Sequence, residues 1–310
     1  MNDLTQQFVL CADDFAISEG ASRAILNLVD AGRLTAVSAM ASAPAWPEHA
    51  SELKARRGRV AIGLHLDLTS RPFDGRKPPY DLRRLIVSSI TRSVDVDAVA
   101  NEFERQFSAF ESAIGARPDH VDGHHHAHAL PQIRVALLKV LARRYGALPP
   151  ASRPLIRDPT DSLFRLWRRG AARRKALILL GLCAGFGQRV NAAGFPANVG
   201  FAGLSSFDDR MPFDREFAAF LKAPGPRHIV MCHPGVAVTA ERGCDPMADR
   251  RNAEYASLMR NPQLLTAMLR VQREDGVEES AFAKWLANSN ALRLPLLEPH
   301  PDTQTRRRGP

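Results

Sequence analysis

Short apolar runs alternate with helical patterns along the first half of the chain, and this alternation limits the possible folds more than any other feature. The apolar runs are FVLCA (8–12), AVSAMAS (36–42) and VAIGLHLDLT (60–69), and the helical spacing of 95–114 leads into the strand candidate HVDG. Strands that alternate with helices in this way build a parallel sheet, either open or closed as a barrel. The sequence therefore predicts an α/β fold.

The rest of the chain continues the pattern less regularly. Further elements are predicted as strands in NVGFAGLSS (198–206) and HIVMCHPG (228–235), and as a short strand with a last helix in 277–286. Residues 148–196 fit the alternation least well. We predict a single domain over 6–290 with a helical insertion near 148–196, followed by a disordered basic tail over 295–310.

The chain is basic, with 42 Lys and Arg against 33 Asp and Glu and a net charge of +9. Much of this charge lies in RLWRRGAARRK (165–175) and the terminal TRRRGP, but no RNA- or DNA-binding motif accompanies it, so we expect no nucleic-acid partner. The four cysteines show no CxxC spacing, the N-terminus is not a secretory signal, and the longest apolar run is too short to span a bilayer. These features predict a cytoplasmic protein.

Carboxylate and imidazole side chains follow four of the predicted strands. FVLCA ends in Asp13 and Asp14, VAIGL in His65, HVDG in His124 and HIVMC in His233. In a parallel sheet the carboxyl ends of the strands share one edge, where functional groups gather. We therefore predict a site at this edge. For the two aspartates, a role as an N-terminal helix cap is the competing interpretation.

The stretch HVDGHHHAHALP (120–131) holds five of the ten histidines. On an extended chain His125 faces one side and the opposite side carries a row of potential ligands: His120, Asp122, His124, His126 and His128. A metal site needs about three protein ligands and an open position, so the other residues of the row would orient ligands or contact substrate. A nonspecific metal-sequestering tract is the alternative.

Four motifs in this order, CADDFAIS, GLHLDLT, HVDGHHHAHALP and MCHPG, resemble those of the YdjC-like carbohydrate deacetylases, which include chitooligosaccharide deacetylases. The resemblance covers roughly residues 6–285, and the segment RDPTDSLFRLWRR is similar to sequences of the branch associated with hopanoid biosynthesis. The family resemblance implies a distorted (β/α) barrel of the polysaccharide-deacetylase type. The implied reaction is metal-dependent removal of the acetyl group from an N-acetylated amino sugar.

The resemblance also implies roles for individual residues. It makes Asp13 the general base, His233 the general acid, and it assigns one divalent ion to Asp14, His65 and His124. A ligand set of two histidines and one aspartate suits zinc on affinity grounds, and the family also admits magnesium. A further R-x-x-E pattern is met by Arg251 and Glu254, which we interpret as supporting the site.

The adjacent aspartates impose a condition on the backbone. Neighbouring residues on a regular strand face opposite ways, so Asp13 and Asp14 can both reach one ion only if the strand is interrupted. We predict a turn or bulge at 13–15. Ala16 stands where the family usually has Gly, so the shape of this turn is in question.

The basic and aromatic residues next to ALILLGLCAGF allow two interpretations of 163–186. The segment is either a lid or packing helix, or a peripheral contact with the inner face of an anionic membrane. Membrane contact would favour a lipid-linked substrate, such as an N-acetylglucosaminyl hopanoid, over a soluble chitooligosaccharide. Two other functions stay open, a metal-dependent phosphoesterase and a noncatalytic sugar- or metal-binding protein.

Overall fold

A computed structural model of the protein describes residues 8–70, 81–205, 211–238, 245 and 247–261. The strands are β1 Val9–Phe15, β2 Ala36–Ala39, β3 Ala61–Leu66, β4 His120–Gly123, β5 Leu155–Ile156, β6 Phe201–Ala202 and β7 Ile229–Cys232. They form one sheet in the order β5-β4-β3-β2-β1-β7-β6, and every neighbouring pair is parallel.

Ten α-helices connect or flank these strands within the described ranges. They are α1 Glu19–Asp30, α2 Trp46–Lys54, α3 Leu82–Ile90, α4 Val96–Ile114, α5 Ile133–Tyr145, α6 Leu163–Arg169, α7 Arg173–Leu182, α8 Phe186–Ala192, α9 Phe213–Phe220 and α10 Ala248–Arg260. None of them combines the length and the hydropathy that a transmembrane span requires. The predicted α/β fold is confirmed, whereas the elements predicted in 277–286 and the tail over 295–310 lie outside the described residues. The segment 148–196 contains α6, α7 and α8, and also β5, which is a strand of the sheet.

Residues 196–202 bring the two edges of the sheet together. On one side the Ile156 amide of β5 donates to the Pro196 carbonyl at 2.8 Å, and Ile156 forms a parallel bridge with Ala197. On the other side β6 pairs with β7. The sheet is therefore curled in the manner of a barrel, as the resemblance implied.

The central strands are buried on both faces, which explains why their sequences are mostly apolar. Every residue of β1 and of β3 is buried. The longest helix, α4, packs a fully buried stripe of Phe103, Phe107 and Phe110 into the core. Asp95 caps its first turn, and Gly115 ends it with a left-handed φ of 77° that favours glycine.

The carboxyl end of β1 is irregular. Asp14 has a left-handed φ of 66°, and the register of β1 against β2 shifts between Ala12 and Phe15. The predicted turn or bulge at 13–15 is therefore confirmed. Because a bulge redirects the side chains that follow it, Asp13 and Asp14 can both face the same edge of the sheet.

Ala16 has a left-handed φ of 73° and is fully buried. Its amide donates to the Ser22 hydroxyl at 3.1 Å, and the Ile17 amide donates to the Asp14 carbonyl at 3.1 Å, so the turn is well held. The left-handed conformation costs a residue with a Cβ about 1–2 kcal/mol. We expect Ala16→Gly to raise the free energy of unfolding by up to about 1 kcal/mol, because greater freedom of glycine in the unfolded chain offsets part of the relief.

Ala12→Gly is the matched control for this prediction, since Ala12 lies on β1 four residues before Ala16, is equally buried and has no positive φ. There the substitution should lower the free energy of unfolding by about 0.5–1 kcal/mol. Urea denaturation of the two variants measures the difference. Equal destabilisation by both would contradict the idea that the turn strains Ala16.

Candidate active site

The carboxyl ends of β1, β3, β4 and β7 meet at one edge of the sheet and border a cavity of about 550 Å³. The five residues to which the sequence assigns catalysis or metal binding all line this cavity: Asp13, Asp14, His65, His124 and His233. The fold therefore brings together side chains that lie on four separate strand ends.

Asp14, His65 and His124 converge on one carboxylate oxygen. From Asp14 Oδ1, His124 Nδ1 is 3.0 Å away and His65 Nε2 is 3.4 Å away. The three ligand atoms all lie within 4.8 Å of one another. Asp14 and His65 are buried, whereas His124 is partly exposed. One carboxylate and two imidazoles beside a cavity fit a divalent ion with an open position for water or substrate.

A second carboxylate orients His65. Asp122 Oδ1 lies 2.6 Å from His65 Nδ1, so the other ring nitrogen, Nε2, faces Asp14. The second oxygen of Asp122 accepts a hydrogen bond from the Ser38 hydroxyl at 2.6 Å. A carboxylate on the remote nitrogen of a histidine is the usual arrangement behind a metal ligand. This contact supports the assignment of His65 as a ligand through Nε2.

The surrounding charges set the ionisation of the metal-free site. Burial alone would lower the pKa of His65, but the carboxylates of Asp122 and Asp13 raise it to about 10. Burial alone would raise the pKa of Asp14, but the Arg251 guanidinium and the His124 ring hold it well below its usual range. At neutral pH the metal-free site therefore holds an ionised Asp14 and a protonated His65.

Binding of a divalent ion should release a proton from His65, because a ligating histidine must be neutral. We expect about one proton per ion at a pH near 7, and fewer as the pH rises towards 10, where His65 loses its proton unaided. Isothermal titration calorimetry in two buffers of different ionisation enthalpy measures this number. Asp122→Asn is the control: it removes a charge that raises the pKa of His65, so fewer protons should be released. Equal apparent enthalpies in the two buffers for the unaltered protein would contradict the prediction.

A buried arginine holds Asp13. The Arg157 guanidinium donates to both oxygens of Asp13 at 2.7 and 2.6 Å, and its Nη1 also lies 3.0 Å from Asp122 Oδ2. Arg157 has no exposed surface. Burial alone would lower the pKa of this arginine, but the carboxylates of Asp122 and Asp13 raise it above its usual value. Sequence reasoning assigned Arg157 no role, because nothing in the RDPTD stretch distinguishes a buried arginine from an exposed one.

The row of ligands predicted along an extended 120–128 is wrong. The extended chain ends at Gly123, and a tight 3-10 turn over 124–129 follows, in which His125 and His126 have left-handed φ values of 53° and 57°. Only His124 of this turn approaches Asp14. The left-handed residues reverse the direction of the chain, so side-chain alternation does not continue through them.

The other histidines of the cluster have separate surroundings. His120 Nε2 lies 2.9 Å from the Ser38 hydroxyl inside the barrel, and the His126 ring packs edge-on against Phe201 beside the cavity. Burial lowers the pKa of His128 to about 4, so its neutral ring donates through Nε2 to the Arg157 carbonyl at 2.8 Å. His128 thus helps to position the backbone of Arg157.

Both residues of the R-x-x-E pattern contact the site. Arg251 Nη2 donates to Asp14 Oδ2 at 2.7 Å, which leaves Asp14 Oδ1 for the histidines. Glu254 accepts from the backbone amide of His233 at 2.6 Å. The pattern lies on α10, so this helix joins β1 to the strand end that carries His233.

Two other groups of ligand-type side chains occur in the described ranges, Cys11 with His120 and Asp122, and Asp13 with His65 and Asp122. The first is fully buried and held together by the Ser38 hydroxyl, which contacts all three members. In the second, Arg157 already binds both carboxylates. Both groups therefore suit internal hydrogen bonding better than an ion with an open position.

Curated relatives match part of the chain. A chitooligosaccharide deacetylase of Yersinia enterocolitica is 31% identical over 131 residues, and one of Yersinia pestis is 30% identical over 131 residues. In each case the match covers 40% of this chain and 51% of the relative, so the chain spans about half the length of the curated relatives it matches.

A solved structure matches more of the chain. A protein of Enterococcus faecalis, whose name refers to cellobiose-phosphate cleavage, superposes with a TM-score of 0.59 at 21% identity, over 85% of this chain and 94% of that one. This likeness concerns the fold alone. The sequence model of the family described as YdjC-like protein matches residues 7–269. With most of its length matched by that model, the chain belongs to the YdjC-like family.

Proposed function

We propose that the protein is a metal-dependent hydrolase that removes the N-acetyl group from an acetylated amino sugar. The observation that carries this proposal is the convergence of Asp14, His65 and His124 in a cavity that Asp13 and His233 also line. Such a cavity can hold an ion, a proton acceptor and a proton donor around one amide. The names of the Yersinia relatives support the same reaction, over the half of their length that the chain matches.

An amide resists hydrolysis because its carbonyl is a poor electrophile and an amine anion is a poor leaving group. Asp14, His65 and His124 would hold the ion. A divalent ion bound there would polarise the carbonyl and make water more acidic. Zinc is the first candidate because two imidazoles and a carboxylate suit it, and magnesium is the second.

The proton transfers are assigned to Asp13 and His233. Asp13 would take a proton from the attacking water, while the two hydrogen bonds from Arg157 fix the orientation of its carboxylate. His233 would give a proton to the departing nitrogen, and Glu254 holds the backbone at His233 in place. The first transfer makes water a better nucleophile, and the second lets the nitrogen leave as a neutral amine.

The lining of the cavity supports a substrate with an apolar part. Leu82 and Ile86 of α3 face it, as do Ile178, Leu179 and Leu182 of α7. Among the described residues that line it, none is Phe, Tyr or Trp, so this part of the lining offers a sugar none of the large aromatic rings on which sugars stack. We therefore propose a lipid-linked amino sugar, such as an N-acetylglucosaminyl hopanoid, in preference to a soluble chitooligosaccharide.

Acetate release tests this proposal. The metal-free protein is resupplied with zinc or magnesium and incubated with N-acetylglucosamine, a chitooligosaccharide and an N-acetylglucosaminyl hopanoid. We expect metal-dependent acetate release, fastest from the glycolipid. Faster acetate release from the soluble sugars would reject the lipid-linked substrate, whereas the proposed deacetylation reaction would still stand.

The same assay separates the two remaining functions. Release of phosphate from phosphomonoesters without acetate release would identify a phosphoesterase. Tight binding of the ion or the sugar with neither product would identify a noncatalytic binding protein. Either result would reject the proposed deacetylase.

A further inference from the structure

Helices α6 and α7 expose an unusual number of large apolar side chains. On α6, Phe164 is 67% exposed and Trp167 is 66% exposed, and on α7, Ile178 is 64% exposed. Leu163 and Leu177 are also exposed. Five large apolar residues on two consecutive short helices form a patch of the kind that marks an interaction surface.

The same two helices are basic and lack acidic residues. From residue 162 to residue 207 the chain has no Asp or Glu, while Lys and Arg occur seven times. Arg168, Arg173 and Arg174 are exposed, and no carboxylate of the described ranges pairs with them. The two helices that carry the apolar patch therefore also carry exposed positive charge.

Helix α5 shows the contrasting case of a basic helix that faces other parts of the protein. Its Lys139, Arg143 and Arg144 all form ion pairs with carboxylates of α4. The basic residues of α5 are thus accounted for by internal contacts. The exposed arginines of α6 and α7 indicate an anionic partner instead.

Packing within the protein does not explain the exposed residues of α7. Ala176 is buried, and Leu179 and Leu182 pack against the core, so α7 already has an inward face. Ile178 is largely exposed and also lines the cavity that holds Asp14. The apolar patch therefore adjoins the mouth of the candidate active site.

We propose that the exposed face of α6 and α7 docks on an anionic lipid bilayer, and that the cavity opens at this docking surface. Exposed Trp and Phe beside Arg are the residues that hold a helix in the interface of a bilayer, where the rings enter the acyl boundary and the cations contact lipid phosphates. A lipid-linked substrate would pass from the bilayer into the apolar cavity without crossing water. Docking itself does not rest on the proposed function.

Vesicle sedimentation with the full chain tests the docking. We expect binding to vesicles of phosphatidylcholine with phosphatidylglycerol, weak binding to phosphatidylcholine alone, and weaker binding at high salt. Phe164→Ser with Trp167→Ser should weaken binding at least about ten-fold because two rings are lost. Arg168→Ser with Arg174→Ser should weaken it about five-fold for each cation.

Val135→Ser is the matched control, because Val135 is an exposed aliphatic residue on α5, 51% exposed, beside paired cations. It should change vesicle binding less than about two-fold. Circular dichroism melts establish that each variant is folded. Asp13→Asn should bind vesicles like the unaltered protein, which separates docking from catalysis.

Three results would overturn the proposal. One is an absence of sedimentation with anionic vesicles, and another is equal loss of binding in the α6 variant and in Val135→Ser. The third is self-association in analytical ultracentrifugation that the α6 variant abolishes while vesicle binding persists, which would assign the patch to a second copy of the chain.

Discussion

Replacing Asp13 by Asn is expected to lower turnover by ~100-fold or more while the ion stays bound. Asparagine has nearly the shape of aspartate, but it cannot take a proton from the attacking water. The ligand atoms belong to Asp14, His65 and His124, so the substitution does not remove one of them. Acetate release at saturating substrate and metal content after dialysis are the two measurements.

Asp14→Asn is the control for the Asp13 variant. Asp14 Oδ1 is the atom that His65 and His124 approach, so this variant should lose the ion together with activity. The Asp13→Asn and Asp14→Asn variants are thus expected to differ in metal content, although both should have low activity. An Asp13→Asn protein with more than about a tenth of the original turnover would reject Asp13 as the general base.

Arg157→Met is expected to lower the free energy of unfolding by about 3–5 kcal/mol. Methionine fills a similar volume but leaves the carboxylates of Asp13 and Asp122 buried without their cation. Removing one partner of a buried ion pair is costly because the remaining charge has neither water nor a counter-ion. Urea denaturation of the metal-free protein measures the loss.

The loss of unfolding free energy in Arg157→Met should become smaller as the pH falls. Burial alone would raise the pKa of Asp122, but Arg157 and His65 hold it well below its usual range. A carboxyl with a lowered pKa stabilises the fold at pH values above about 4, and this contribution disappears as the pH falls. In Arg157→Met the Asp122 carboxyl loses the cation that lowers its pKa and binds a proton more readily, so the deficit in the free energy of unfolding should shrink from about pH 8 to about pH 5.

Arg56→Met is the matched control, because Arg56 also forms a two-point contact with one carboxylate. Its Nε and Nη2 lie 2.9 and 2.6 Å from the two oxygens of Asp30, but this pair lies on the surface. An exposed pair contributes about 0–1 kcal/mol. Similar losses of unfolding free energy in Arg56→Met and Arg157→Met would contradict the view that burial makes the removal of Arg157 costly.

Much of the fold follows from local patterns. Strands buried on both faces are mostly apolar, so β1, β3 and β7 are visible in the sequence. The apolar spacing of 95–114 predicts α4 to within a residue. The bulge after Ala12 is also predictable, because adjacent aspartates on a regular strand face opposite ways and could not both reach the same site. The two-residue strand β5 is too short to show any periodicity, and 148–196 therefore gives no sign that it carries part of the sheet.

Local sequence patterns are enough to predict the α/β alternation and the carboxylates and imidazoles at the carboxyl ends of the strands. Three features are visible only in the folded protein: Arg157 binds Asp13, Asp122 orients His65, and the chain turns after Gly123. The difference comes from how far along the chain the interacting residues lie. Hydrophobic periodicity is a property of a few neighbouring residues, whereas the burial of an arginine depends on carboxylates that distant strands bring to it.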